Sequence, residues 1–147
     1  MKHPDHYDTD AATSRRMAKV HLKDGPVEQA VAKRLYHHGL RYRKNWKSLP
    51  GSPDIAILRY DVAVFIDGEF WHGKDWGIRK QRLKRNKDYW IEKIEENMAR
   101  DYHNDQKLIS LGWTPLHFWS KDVQKDPDGC VSDILDLIIE MQAGNYD

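Results

Sequence analysis

The sequence has 147 residues, about one domain's length, with 24 Lys and Arg against 23 Asp and Glu for a formal net charge of +1. With 39% hydrophobic residues and a mean hydropathy of -0.85 it can fill one core, and no run approaches the roughly 18 consecutive apolar residues of a membrane span. Met1 to Asp10 lack the apolar stretch of a secretory signal, and a single cysteine, Cys130, excludes an internal disulfide framework and a multi-cysteine zinc cage, so a reducing compartment is expected.

The near-zero balance hides a segregation of charge. Residues 1–50 carry eleven Lys and Arg against five acids, whereas residues 120–147 carry two against seven. Arg79, Lys80, Arg82, Lys84, Arg85 and Lys87 fall within nine positions that hold no acid. A polyanion such as nucleic acid is a plausible partner, because each cation on a phosphate releases condensed counterions. The plainer alternative is a solvated loop.

In chain order, residues 1–12 lack apolar periodicity and are expected to form a flexible arm ahead of one domain over residues 13–147. Thr13 or Ser14 can cap a short basic helix through Val20, with Met17 its most prominent apolar residue. Asp24-Gly25-Pro26 starts a helix that should reach about His38 and stop at Gly39. Leu49-Pro50-Gly51-Ser52-Pro53 is a turn-rich loop leading through Asp54 into a strand over 55–58; residues 59–61 turn the chain into a second strand over 62–66. Both runs are almost wholly apolar, as in strands buried on two faces. The basic stretch is expected as a loop, followed by a helix from about Asp88 to Leu111. A core strand over 113–119 and an amphipathic helix over 131–141 close the chain. Helices around one sheet give an α/β or α+β sandwich.

Four acids stand where this scheme wants apolar residues. Glu28 shares a helix face with Val31, Ala32 and Leu35, and Asp101 shares one with Ile94, Met98, Leu108 and Ile109. Asp54 opens one strand and Asp67 closes the next. Buried carboxylates are costly unless paired or bound to a cation. Local alternatives exist for each: a helix N-terminus for Glu28, turns for Asp54 and Asp67, an arginine partner for Asp101. An antiparallel hairpin nevertheless brings Asp54 and Asp67 to the same end of the sheet. Oxygen ligands there suit Mg²⁺, and His72, just beyond the strand end, is a candidate general base for water attacking a phosphate.

The order Arg-Arg-Met (15–17), Val-Glu (27–28), Ser-Leu-Pro-Gly-Ser-Pro-Asp (48–54), Phe-Ile-Asp-Gly-Glu-Phe-Trp-His (65–72), Tyr-Trp-Ile-Glu-Lys-Ile (89–94), Asn97 to Asp101 and Leu-Gly-Trp (111–113) resembles the very short patch repair (Vsr) DNA mismatch endonucleases over about residues 13–120. Glu28, Asp54, His72 and Asp101 also stand in the order of the related EDxHD homing endonucleases. The resemblance implies an α/β, restriction-endonuclease-like (PD-(D/E)xK) core with a mixed central sheet flanked by helices. It implies a Mg²⁺-dependent enzyme, with Mn²⁺ as a substitute, that nicks double-stranded DNA beside a thymine–guanine mismatch. The alternatives are a restriction or mobile-element endonuclease cutting matched duplex, and a catalytically silent DNA-binding module. The expected setting is the bacterial-type cytoplasm at the nucleoid, with other repair or modification proteins as further candidate partners.

By the same resemblance, Asp54 is the central metal ligand and Ile66 offers its backbone carbonyl. His72 activates water, while Glu28 and Asp101 orient waters or the histidine. Phe70, Trp71 and Trp90 match aromatics that wedge into the base stack, and Met17, after Arg15 and Arg16, matches a residue inserting from the other groove. Two departures stand out. The family's structural zinc positions read Glu69, Lys74, Trp76 and about Lys121, so no zinc is expected; and Asp67 replaces a second active-site histidine, adding a carboxylate to the metal site.

Overall fold

The computed structural model describes residues 25–144. The arm over 1–12 and the basic helix expected after it, with Arg15, Arg16 and Met17, lie outside the described residues. The first described element, α1 (Pro26–His37), starts with proline at its first turn, where a missing N–H costs nothing, and buries Glu28, Val31, Ala32 and Leu35 on one face. A two-residue strand, β1 (Arg43–Lys44), precedes the hairpin of β2 (Ile55–Ile57) and β3 (Val62–Asp67). Helices α2 (Trp76–Arg82) and α3 (Lys87–Ser110) lead to β4 (Thr114–Trp119), and α4 (Ser120–Lys125) and α5 (Pro127–Gly144) follow.

The sheet has the order β1-β2-β3-β4. β2 pairs antiparallel with β3, Ile55 opposite Val64, and β4 runs parallel to β3, from Val62 opposite Thr114 to Asp67 opposite Trp119. Alternation along the strands divides the core. Ile55, Ile57, Val62 and Val64 meet Val31 and Leu35 of α1 and Ile134 of α5, whereas Ala56, Ala63 and Phe65 face Leu49 and Leu108, the latter on α3. The continuation of that second face, Asp54 before Ala56 and Asp67 after Phe65, lies on the side covered by α3.

The α/β architecture, a mixed four-stranded sheet flanked by helices, agrees with the expectation, as do the two buried strands. Several details differ. β1, α2 and α4 were not expected, and the last helix begins at Pro127 rather than Val131. β4 is half-buried rather than central, because it is the last strand of the sheet. Ile109, expected on the buried face of α3, is 54% exposed. Arg79, Lys80 and Arg82 lie on α2 rather than in a loop.

Candidate active site

Asp54 leaves the loop 49–53 with its side chain almost sealed from solvent, and a buried carboxylate needs donors to replace its lost water. Its Oδ2 accepts the Ile66 N–H at 2.7 Å. Buried Asp67 ends β3, and its Oδ2 accepts the Nδ1–H of His117 at 2.6 Å. Asp67 Oδ1 lies 3.9 Å from His72 Nε2. The hairpin thus brings Asp54 and Asp67 together at one end of the sheet, on the face beneath α3.

His72 sits in the turn after β3, where its N–H reaches the Gly68 carbonyl. Its Nδ1 donates to Asp101 Oδ2 at 2.5 Å, so the nitrogen facing Asp67 is Nε2. The turn is anchored to α3: Asn97 Nδ2 donates to the Trp71 carbonyl at 3.0 Å, and Gly73, at φ +74, lies so close to Met98 that a Cβ would collide with its sulfur. Burial alone would lower the His72 pKa, but the hydrogen bond to Asp101 and the charges of Asp67 and Asp101 raise it above the ordinary value.

These residues line one cleft of about 640 Å³. Glu28, Asp54, Ile66, Asp67, His72 and Asp101 all border it, as do Lys93, Arg100, Asp105 and His117. His117 and Asp105 escaped the sequence reading. His117 Nε2 donates to both oxygens of Asp105 at 2.8 Å while Nδ1 holds Asp67. Burial would depress the His117 pKa, yet Asp67 and Asp105 push it up to about 9. The available signal was a lone histidine in a largely apolar strand, but its face was unknown until β4 was in register with β3.

Among the described residues no three His, Cys, Asp or Glu side chains form a group that could hold a metal ion by themselves. The donor set around Asp54 and Asp67 fits instead a hard cation such as Mg²⁺, which takes one or two carboxylates and keeps several waters. At the positions matching the family's zinc ligands, polar links join the turn after β3 to α4. Glu69, only 4% exposed, accepts the Lys121 N–H at 2.8 Å, and Lys74 lies 3.8 Å from Asp122. Trp76 donates through Nε1 to Glu95 at 3.0 Å. The burial of Glu69 was not expected.

The three candidate wedge residues form one cluster. The ring centroids lie 5.6 Å apart for Phe70–Trp71, 5.1 Å for Phe70–Trp90 and 5.5 Å for Trp71–Trp90. Trp90 is buried on α3 and backs the other two, which are half-exposed. The cations of α2 and the connection to α3 lie mostly at the surface, although Lys80 pairs with Glu95 at 2.9 Å. Lys84 and Arg85 lie in that connection, and Lys87 begins α3.

A family model described as DNA mismatch endonuclease Vsr matches residues 4–78. The chain is 54% identical over 113 residues to the type II nicking enzyme V.HpaIIP of Haemophilus parainfluenzae, covering 77% of this chain and 80% of that protein. It is 47% identical over 115 residues to the type II nicking enzyme V.NmeDIP of Neisseria meningitidis serogroup C, with 78% of each covered. To the DNA mismatch endonuclease Vsr of Escherichia coli (strain K12) it is 34% identical over 109 residues, 74% of this chain and 69% of that one.

Proposed function

The chain belongs to the Vsr family of DNA mismatch endonucleases and is a DNA endonuclease; from that premise we propose that it nicks one strand of double-stranded DNA beside a thymine–guanine mismatch in a Mg²⁺-dependent reaction. The observation that carries the reading is the meeting, in one cleft, of two buried carboxylates, Asp54 and Asp67, with a histidine held by Asp101. The family is consistent with a restriction-endonuclease-like core. No helix among the described residues is long and apolar enough to cross a membrane. The proposed setting is the bacterial-type cytoplasm, at the nucleoid.

Asp54 and Asp67, with the backbone of Ile66, would hold Mg²⁺ or Mn²⁺, which when bound stabilises charge developing on the phosphate. The chain's own residues supply the rest. His72 Nε2 accepts a proton from the attacking water, because Asp101 occupies Nδ1 and fixes the tautomer. Glu28 faces the same cleft and orients water. Lys93 and Arg100 border it as counter-charges for the phosphate. The cations from Arg79 to Lys87 dock the backbone, and Phe70 and Trp71 form the wedge, with Trp90 behind them.

Several relatives are named type II nicking enzymes, a name that gives the nick and leaves the duplex open, so the second reading is cutting of matched duplex. One experiment separates the two. Matched and thymine–guanine duplexes are incubated with the purified protein, with Mg²⁺ or with a chelator, and compared with Asp54→Ala. The expected result is nicking of the mismatched duplex in Mg²⁺ alone, abolished in Asp54→Ala while DNA binding persists. Equal nicking of both duplexes would favour the second reading, and undiminished nicking by Asp54→Ala would remove the carboxylate site from the mechanism.

A further inference from the structure

We propose that His117 is a positioning residue for cation binding: by clamping Asp67 from β4 and anchoring on Asp105 of α3, it holds the Asp67 carboxylate in the orientation that the metal requires. The inference rests on the metal site proposed above and adds a residue to it.

Three observations converge on His117. Its Nδ1 grips Asp67 Oδ2 at 2.6 Å, while the other oxygen, Oδ1, is turned to the His72 side at 3.9 Å from Nε2. The carboxylate is thus oriented between two imidazoles rather than left to rotate about its last torsion. Nε2 is in turn held by both oxygens of Asp105 at 2.8 Å, so the clamp is fastened to the helix that also carries Asp101. The ring is also stacked on Phe65, with centroids 4.7 Å apart and planes 11° from parallel, and Phe65 is its register partner across the parallel pair. Backbone pairing and stacking therefore constrain the ring plane in addition to the two hydrogen bonds.

This arrangement also assigns the two histidines different work. Both nitrogens of His117 donate to carboxylates, which leaves it no lone pair with which to take a proton from water. His72 holds Nδ1 on Asp101 and turns Nε2 toward Asp67. His117 acts through Asp67, and carboxylates that bind a metal commonly depend on such an outer partner, whose loss typically costs about 10- to 100-fold in metal affinity.

The test measures Mn²⁺ binding to the metal-free full chain by electron paramagnetic resonance and calorimetry, without DNA. His117→Asn retains a donor near the position of Nδ1 and so the grip on Asp67; His117→Gln retains one near Nε2 and so only the link to Asp105. The expected result is Mn²⁺ affinity within a few-fold of the unaltered chain for His117→Asn. Both His117→Gln and His117→Ala should weaken it about 10- to 100-fold, with circular dichroism and metal-free DNA affinity unchanged. Equal affinities for the Asn and Gln variants would reduce His117 to packing on Phe65 and overturn the inference, as would wild-type binding in all three. Asp54→Ala is the control: if it loses Mn²⁺ while the His117 variants do not, only the role of His117 falls, and if it too binds Mn²⁺ normally, the metal site itself falls with it.

Discussion

A proton acceptor for water must be neutral when the reaction starts, so with His72 as the proposed base its environment sets the pH range of activity. Burial disfavours its charged form, but Asp101 and Asp67 favour that form more, and the balance lifts the pKa above 6.5. Activity should therefore rise with pH along a limb governed by loss of the His72 proton. Asp101→Asn removes the nearest negative charge and leaves desolvation in place, which moves that limb to lower pH. The plateau should also fall, because the imidazole loses its charged anchor, and removing such support costs a part of the roughly 10²- to 10⁴-fold that a positioned base contributes. The measurement is nicking rate against pH at saturating Mg²⁺ for both proteins. A limb that stays put would mean that His72 is not the base.

In the proposed mechanism, the turn between β3 and α2 joins chemistry to recognition. Within a few residues it presents Phe70, Trp71 and His72, and α3 holds it through Asn97 and the close approach of Gly73 to Met98. Phe70 and Trp71 are half-exposed because Trp90 fills the space behind them. An aromatic wedge costs a few kcal/mol of base stacking per step, and the cost is smaller where pairing is already imperfect. Trp71→Ala should accordingly lower nicking of a thymine–guanine duplex more than it lowers nonspecific binding, when rate and affinity are measured at one salt concentration. If rate and affinity fall together, Trp71 supports docking only, and an unaltered mismatch preference would take the wedge out of specificity.

For the molecule as a whole, a net charge of +1 coexists with a basic surface along α2 and its connection to α3. Exposed pairs such as Lys80 with Glu95 contribute little to stability, so most of this charge remains available to phosphates. Neutralising Arg82 and Lys84 together, each to Gln, should weaken binding on every duplex. It should also reduce the slope of log affinity against log salt by about two, one for each lost phosphate contact. Binding titrations from low to moderate salt on two unrelated sequences check this. An effect confined to one sequence would mean that these side chains read bases.

The amino-acid sequence by itself determined whatever depends on local periodicity and punctuation. Pro26 and the spacing of Glu28, Val31, Ala32 and Leu35 define α1 and its buried face. The proline- and glycine-rich loop before Asp54 and the two short apolar runs define a hairpin, and a hairpin leaves Asp54 and Asp67 no choice but to meet at one end. The tertiary structure decided what depends on register and on contacts distant in sequence. The face of His117 is fixed by parallel pairing with a strand some fifty residues earlier, and only that pairing brings it to Asp67 and Asp105. Helix α2 has no side-chain cap and begins after a left-handed Asp75, so nothing in its own sequence announces it. Contacts with Glu95 of α3, made by Trp76 and Lys80, join it to the rest of the chain. Local signals act over three or four residues, whereas the clamp on Asp67 exists only after the chain has closed its sheet.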